Sequence, residues 1–533
     1  MARRSPATRG VATTATIVAL LFCFVGFCAA ASYDYYPGNP SDWVSDLAGK
    51  SLQPGDVVTF HAASGSTSAT YDMGGYGSTF TWTGSQESPI VVRANPGHTI
   101  TFTQSVSNKN TWQLAGQYWV FEGFEIIGTS GVTGGLPLRL MDSTNDVVVQ
   151  DLKVHDLYDN AVTANMGGAD YSNITFRRLE IWNTAGTGEC FYAGCQATDS
   201  TTVPCKFHDS LFENNYCHDT CLGMGSTTCT GGSQGSGIQV KFGSYRNIIR
   251  NNVCKNTQTP CILLYDDWDQ GVNLVEGNLI INTRTDSGIQ VSAGAIIRNN
   301  VIVGSAGDGV SISNNPDNIY NNQGTRNIKL HHNTLVSNSG YGVGYSVVPS
   351  NSEFINNVAI GNSNGAYRDN VDMSSITWKR NGYDSVAPTT QTNGTFEVAG
   401  TLSTEFVNAG SWNLYPKNGG SLAGAGSNDL LLAYDFNGFP RPCDAITVGA
   451  YEKTSTNNPG WTPAASIKPI NAGSLPTCDY GSDCRADCAS PFNGATGGDD
   501  SGAPGPSGNA SNVGPSSVLV LFLVLCIALL TSM

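Results

Sequence analysis

Positive charge is scarce in this chain: 27 Lys and Arg stand against 42 Asp and Glu, for a formal net charge of −15. A surface so poor in cations does not neutralise phosphates, which argues against a nucleic-acid partner. Long apolar runs are missing as well. Val518 to Leu530 is thirteen residues, short of the roughly 18 to 20 a spanning helix needs. The fixed Leu spacing of leucine-rich repeats and the helix-forming segments of helical arrays are also absent, which removes both from the repeat architectures open to the chain.

What is present is a repeat of another kind. The stretch G-I-Q-V occurs at 237–240 and again at 288–291. Phrases of one type follow it through the chain: N-I-I-R-N-N-V-C-K-N-T at 247–257, N-L-V-E-G-N-L-I-I-N-T at 273–283, A-I-I-R-N-N-V-I-V-G-S at 295–305 and N-I-K-L-H-H-N-T-L-V-S at 327–337. Taking Phe124, Leu152, Leu179, Asn215, Asn252, Asn278, Asn300, Asn333 and Asn357 as equivalent, the steps run from 22 to 37 residues. A fixed unit therefore carries loops of variable length. The rounds are rich in Val, Ile, Thr, Asn and Gly, which favour strands and turns, and Asn or Gly sits where the backbone needs left-handed conformations. This pattern predicts a parallel β-helix, in which each coil buries its apolar face only by stacking on the next. Asn at one corner of successive coils then forms an amide ladder.

The ends read differently. Arg3, Arg4 and Arg9 precede an apolar run from Ile17 to Phe27 and the small residues Ala29 to Ala31, a secretory signal peptide ending near Ala31. Its loss takes the formal charge to −18. The polar, small-residue segment before Val518 followed by a short apolar tail reads as a GPI-attachment signal over 512–533, with attachment between Ser507 and Ser511; a short membrane-spanning tail is the competing reading. Between them the sequence predicts an N-terminal cap and first coil at 32–115, with a short helix over Ser41 to Leu47 capped by Ser41 or Asp42. Coils follow at 116–370 with a disulfide-rich loop at 190–235, then C-terminal coils and an exit region at 371–453, and a Pro-, Gly- and Ser-rich stalk at 454–511. A monomer at the cell surface, held by a C-terminal lipid anchor, is expected.

Twelve cysteines remain in the mature chain: Cys190, Cys195, Cys205, Cys217, Cys221, Cys229, Cys254, Cys261, Cys443, Cys478, Cys484 and Cys488. An even number in an exported chain reads as disulfides of open connectivity, with zinc ligation by the last group as the alternative. Asn173, Asn393 and Asn509 head N-x-[ST] sequons and read as surface glycosylation positions.

Three motifs carry a family resemblance: P-G-D-V-V-T-F at 54–60, G-S-L-A-G-A-G at 420–426 and D-F-N-G-F-P-R-P-C-D-A-I-T-V-G-A-Y-E at 435–452. With the Asn-rich rounds they resemble secreted right-handed parallel β-helix proteins of the pectate-lyase-like superfamily, over roughly residues 50 to 452. The resemblance implies a carbohydrate-active protein, most often a polysaccharide lyase, hydrolase or epimerase, with its substrate across one sheet of the coils. Fold alone does not fix the activity, and a non-catalytic glycan-binding wall or adhesion protein is the alternative.

Strand alternation locates the outward positions. Ile238 and Val240 are expected inside, Gln239 and Lys241 outside, and the aligned rounds put Arg139, Thr163, Tyr192, Gln239, Leu263, Gln290 and Ser311 in one outward column. Lys241 and Tyr265 fall side by side in the next, followed by Asp266, Asp267 and Asp269. Lys241 as base, Tyr265 as acid and Asp266 beside them form the expected catalytic group for β-elimination of an acidic glycan, with Arg139, Tyr192, Gln239 and Gln290 contacting the sugar chain. The three aspartates offer hard oxygen ligands for Ca²⁺. The bland readings are a Lys241–Asp266 surface pair and a plain Asp-rich turn. Hydrolysis by Asp266 or Asp267 ranks below elimination, and His155, His208 and His218 read as surface or corner residues. Lyases resembling chondroitinase B and the alginate lyases place an Arg one coil after the Lys, where this chain has Tyr265. No G-H-G of a polygalacturonase occurs, and Y-D-D-W-D matches the Y-x-P-H-D of mannuronan epimerases poorly.

Overall fold

The computed structural model describes residues 30–469, apart from 143, 197–204, 224–228, 230–233, 314–323, 369–373, 385–394, 399, 431 and 443. The expected signal peptide up to residue 29, the expected lipid-attachment tail, Asn393, Asn509, Cys443, Cys478, Cys484 and Cys488 lie outside the described residues.

The chain folds as a right-handed parallel β-helix. Its strands form two large parallel sheets, the larger of which bends into two walls. The first wall includes Leu138–Leu140, Val162–Ala164, Phe191–Ala193, Ile238–Val240, Ile262–Leu264 and Ile289–Val291. The second includes Asp170–Arg177, Leu211–Glu213, Ile248–Arg250 and Asn273–Glu276, and the third, a separate sheet, includes Lys153–His155, Glu180–Trp182, Tyr216–His218 and Val253–Lys255.

Each corner is made by one residue in the left-handed region. Between the second and third walls it is Arg178, Asn214, Asn251, Gly277, Asn299, His332 and Asn356 in successive coils, with φ between 52° and 65°. The ladder residue follows at once. Asn215, Asn252, Asn278, Asn300, Asn333 and Asn357 are fully buried. Each donates Nδ2 to the next rung's Oδ1, from Asn215 to Asn252 at 2.9 Å through Asn357 to Asn381 at 2.9 Å. The same Oδ1 accepts the backbone N–H of the preceding rung, so the corner's peptide groups are satisfied without water.

The N-terminal part holds one coil more than the sequence spacing implies. Val57–Phe60 pairs in parallel with Ile90–Ala94, and Ser68–Asp72 with Thr99–Thr103, so two coils stand at 32–115 where a cap and first coil are expected. Their alternation is hidden by aromatic residues such as Phe60, Phe102 and Trp112, which fill the interior. The capping helix spans Pro40–Gly49 with Asn39 at its N-cap, not Ser41 or Asp42, because Pro40 is suited to the first helical position. Trp43, Val44 and Leu47 are buried, and the Trp43 ring meets Phe60 and Tyr71 edge-on. The helix thus closes the apolar end that a solenoid leaves open.

At the other end, residues of 398–469 cover the outer face of the third wall, with Phe406, Leu414, Tyr415, Phe436 and Tyr451 packed on Leu279, Val301 and Val358. The R-P…G-A-Y-E motif is the staple. Buried Arg441 pairs with Glu452 at 3.1 Å and donates to Asn299 Oδ1 at 2.9 Å. The segment after 453, expected as a stalk, lies against the column as far as it is described. Lys468 is buried and donates to Asn251 Oδ1, the Gly277 carbonyl and the Phe436 carbonyl at 2.9, 2.9 and 2.7 Å. Its aromatic neighbours Trp461 and Phe436 outweigh the Pro-rich composition that marked a linker.

Among the described residues four disulfides form: Cys190–Cys217, Cys195–Cys205, Cys221–Cys229 and Cys254–Cys261. Cys190 and Cys217 lie in the interior of the column, so that bridge ties the first wall to the third instead of stapling a loop. Asn173 is exposed in the second wall and donates to Asp146 Oδ1 at 3.0 Å.

Candidate active site

Backbone register fixes which side chains share the first wall. Arg139, Thr163, Tyr192, Gln239, Leu263, Gln290 and Ser311 are successive Cα partners. Ile238 and Val240 are buried in the core, which turns Gln239 away from it as alternation requires, but Gln239 and Lys241 are themselves buried rather than facing solvent as expected. Immediately beyond these strands, Lys241 N–H donates to the Ala193 carbonyl and Tyr265 N–H to the Val240 carbonyl. The two residues are therefore neighbours one coil apart.

Their side chains meet. Lys241 Nζ lies 3.3 Å from Tyr265 Oη and 4.4 Å from the centre of its ring, with the Tyr192 ring at 5.0 Å on another side. It also donates to Gln196 Oε1 at 3.0 Å. The Gln239 amide is oriented with its oxygen 2.9 Å from Lys241 Nζ and its nitrogen 3.1 Å from Glu189 Oε1, the arrangement that satisfies both neighbours. Three oxygen acceptors therefore surround the buried Lys241 nitrogen. Tyr265 is held by its ring contact with Phe242 at 4.5 Å, and Trp268 completes that small apolar cluster.

Glu189 is the residue that sequence reasoning missed. It sits where a long loop joins the first wall, outside the repeat phrases, so no alternation pointed to it. Its side chain is fully buried, and Oε2 has no hydrogen-bond partner. Burial pushes its pKa up to about 7, against the pull of backbone N–H groups and the nearby Lys241 charge. Burial also raises the Tyr192 hydroxyl, helped by Glu189 and Tyr265.

The aspartates are arranged around a cation the chain itself supplies. Arg326 donates Nη1 to Asp266 Oδ2 and Nη2 to Asp266 Oδ1, both at 3.2 Å. Its Nε reaches Asp269 Oδ1 at 2.9 Å, and Nη2 stands 3.8 Å from Asp267 Oδ1. Asp266 also accepts the Trp268 N–H at 2.7 Å. Asp266 is thus a buried anchor for Arg326 rather than a partner of Lys241 or a group facing substrate. Asp267 is pushed up to about 7, first by burial and then by its acidic neighbours; its carboxylate occupies the space a Cβ would fill at Gly294, whose φ is +54°. The expected calcium site does not fit these residues, because the guanidinium stands where a divalent ion would have to bind. Among the described residues no group of three or more His, Cys, Asp or Glu has the arrangement to hold a metal ion.

Gln290 donates to Ser313 Oγ at 3.0 Å, two coils beyond Gln239. Arg139 stands three coils on the other side. The histidines are elsewhere: His155 lies between Glu125 and Asp156 and stacks on Trp182 at 3.9 Å, His208 bridges Asp170 and Asp209, and His218 bonds Asp219 at 2.7 Å.

No family model and no curated protein matches this chain. Among solved structures it is similar to the PL6 family alginate lyase AlyGC, at 18% identity and a TM-score of 0.43, over 73% of this chain and 56% of that one. The chain therefore spans little more than half of that relative. It is also similar to a mannuronic acid specific polysaccharide family 6 lyase from human gut microbiota (16% identity, TM-score 0.44, 69% and 91% of the two chains). A third likeness is to pectate lyase Pel9A (14% identity, TM-score 0.40, 80% and 98%). At these identities the likeness is one of fold.

Proposed function

We propose that this chain acts on an acidic polysaccharide outside the cell, by β-elimination at Lys241 and Tyr265. The observation that carries the reading is the contact of Lys241 Nζ with Tyr265 Oη on the outward face of the first wall. Lys241 is assigned the ammonium role and Tyr265 the proton-carrying role. The ionised Tyr265 hydroxyl takes the proton alpha to a uronate carboxylate, and the C–H electron pair forms the new C=C bond. The bond to the leaving oxygen breaks, and Tyr265 returns the proton to that oxygen. The Lys241 ammonium holds the phenolate charge and the charge that grows on the substrate carboxylate. A cation at this point is needed on a chain whose overall charge would otherwise repel a polyanion. The external location rests on the residues 1–31 signal and is supported by the four disulfides. The lipid anchor rests on the 512–533 tail.

The test is incubation with alginate, pectate and glycosaminoglycans, followed by the near-ultraviolet absorbance of unsaturated uronates. Product from one of them is expected. Tyr265→Phe and Lys241→Ala should each lower the rate by about 10²- to 10⁴-fold. Absence of product from all three, with binding unchanged in both variants, would leave a glycan-binding protein without catalysis.

A further inference from the structure

Upstream of Lys241 the first wall carries polar groups that the protein leaves unpaired. Arg139 Nε, Thr163 Oγ1 and Asn165 Oδ1 are all buried without a hydrogen-bond partner. Arg139 and Thr163 are direct partners in adjacent coils, and Asn165 lies two residues beyond Thr163 on the same outward face. Groups of this kind are rare in folded proteins and call for an explanation. The contrast within the molecule is plain. On the second wall Arg250 meets Glu213 at 2.6 Å and Arg298 meets Glu276 at 2.8 Å. Among the described residues Arg139 has no such carboxylate, in a chain where acids outnumber bases 42 to 27.

Between this group and Lys241 the row is closely packed. In the intervening coil the column that holds Asn165 and Lys241 has Gly194, at φ +85°. A Cβ there would come within 2.7 Å of Ser244 Oγ and 3.2 Å of Lys241 Cβ. The Ser244 and Lys241 side chains therefore fill the space that a larger residue at Gly194 would take.

Register supplies the length. Arg139 to Thr163, to Tyr192, to Gln239 is three coil steps, about 14 Å at the spacing of neighbouring strands. An extended sugar chain laid along the column advances by roughly one coil per residue, so four sugars reach from Arg139 to Lys241. We propose that Arg139, with Thr163 and Asn165, is a carboxylate-binding subsite for an acidic glycan running along the column axis, three coils from Lys241. The guanidinium fork suits a carboxylate in two-point contact. This inference rests on the reading that Lys241 and Tyr265 face a glycan, and it makes affinity depend on chain length.

The experiment measures binding, by titration calorimetry, of uronate oligomers from dimer to hexamer and of neutral oligosaccharides of equal length. The protein is the full mature chain carrying Tyr265→Phe, to prevent turnover, with and without Arg139→Gln. The loss expected on Arg139→Gln is about 10-fold or more for uronate tetramers and longer, with dimers, trimers and the neutral series unchanged. Arg139→Lys should fall between, and Thr163→Val should repeat the length pattern more weakly, which guards against a folding defect in any one variant. An equal loss at every length, an equal loss for neutral sugars, or no loss at all overturns the subsite. Failure of every uronate oligomer to bind the unsubstituted chain overturns the glycan reading together with it. Length-dependent binding through Arg139 in a chain that yields no elimination product keeps the subsite and discards the catalytic proposal.

Discussion

Replacing Asn278 with Leu isolates the contribution of the amide ladder, because Leu152 and Leu179 hold the equivalent corner in earlier coils and the shape is tolerated there. Asn278 is fully buried. Its Oδ1 accepts the Asn252 backbone N–H at 2.8 Å and the Asn252 side-chain amide at 3.1 Å. Its Nδ2 donates to the Ile249 carbonyl and to Asn300 Oδ1, both at 2.9 Å. The Asn252 amide keeps the Phe212 carbonyl, and Asn300 Oδ1 keeps the Asn278 backbone N–H. One buried backbone group is therefore stranded, the Asn252 N–H, while the Ile249 carbonyl keeps the ladder in which Arg250 pairs with Glu276. At about 1–3 kcal/mol for a stranded group, the substitution should destabilise the chain by about 1–3 kcal/mol. Urea unfolding reads this as a lower midpoint at unchanged slope. A loss below about 0.5 kcal/mol, the range of neutral surface changes, would refute the claim that the rungs satisfy the corner's peptide groups.

Two further outcomes follow from the buried charges. Glu189 is raised to about 7 from 4.5, so the folded state holds its proton more tightly than the unfolded one. Its contribution to stability is present below pH about 4.5 and is lost as pH rises through about 7; Glu189→Gln should flatten the fall of the melting temperature between those values, with the part due to Asp267 remaining. Should the slope be unchanged, Glu189 is not titrating there. Arg326→Ala should destabilise the fold by about 3–5 kcal/mol, since it strands Asp266 and Asp267 as buried charges, whereas a chelator should leave the melting temperature of the parent chain unmoved; a marked drop on chelation would restore the calcium reading of the aspartates.

The column was legible because period-two alternation and the Asn corners are local signals that repeat. The equivalence of Asn215, Asn252, Asn278, Asn300, Asn333 and Asn357 survives in the ladder bonds, and the outward set from Arg139 to Ser311 survives in the strand register. Only one of the two early coils was expected, because their interior is aromatic and their rounds lack Asn corners. Asp266 was misjudged for a different reason. Its partner Arg326 lies 60 residues away in sequence, beyond a variable loop, and spacing within a coil says nothing about which cation a loop will bring back.

The same limit explains Glu189, and it changes the chemistry assigned to Lys241. Read from its own strand, Lys241 is a base that needs its proton removed. Read with Gln196, Gln239 and Tyr265 around Nζ, it is a buried group among oxygen acceptors, and the proposed elimination gives the proton-transfer role to the tyrosine. The orientation of Gln239 is set from below by Glu189, a group that enters the wall from a loop. In a β-helix the repeat therefore places the outward side chains in rows, while the loops between walls supply buried groups such as Glu189 that contact the row they close over.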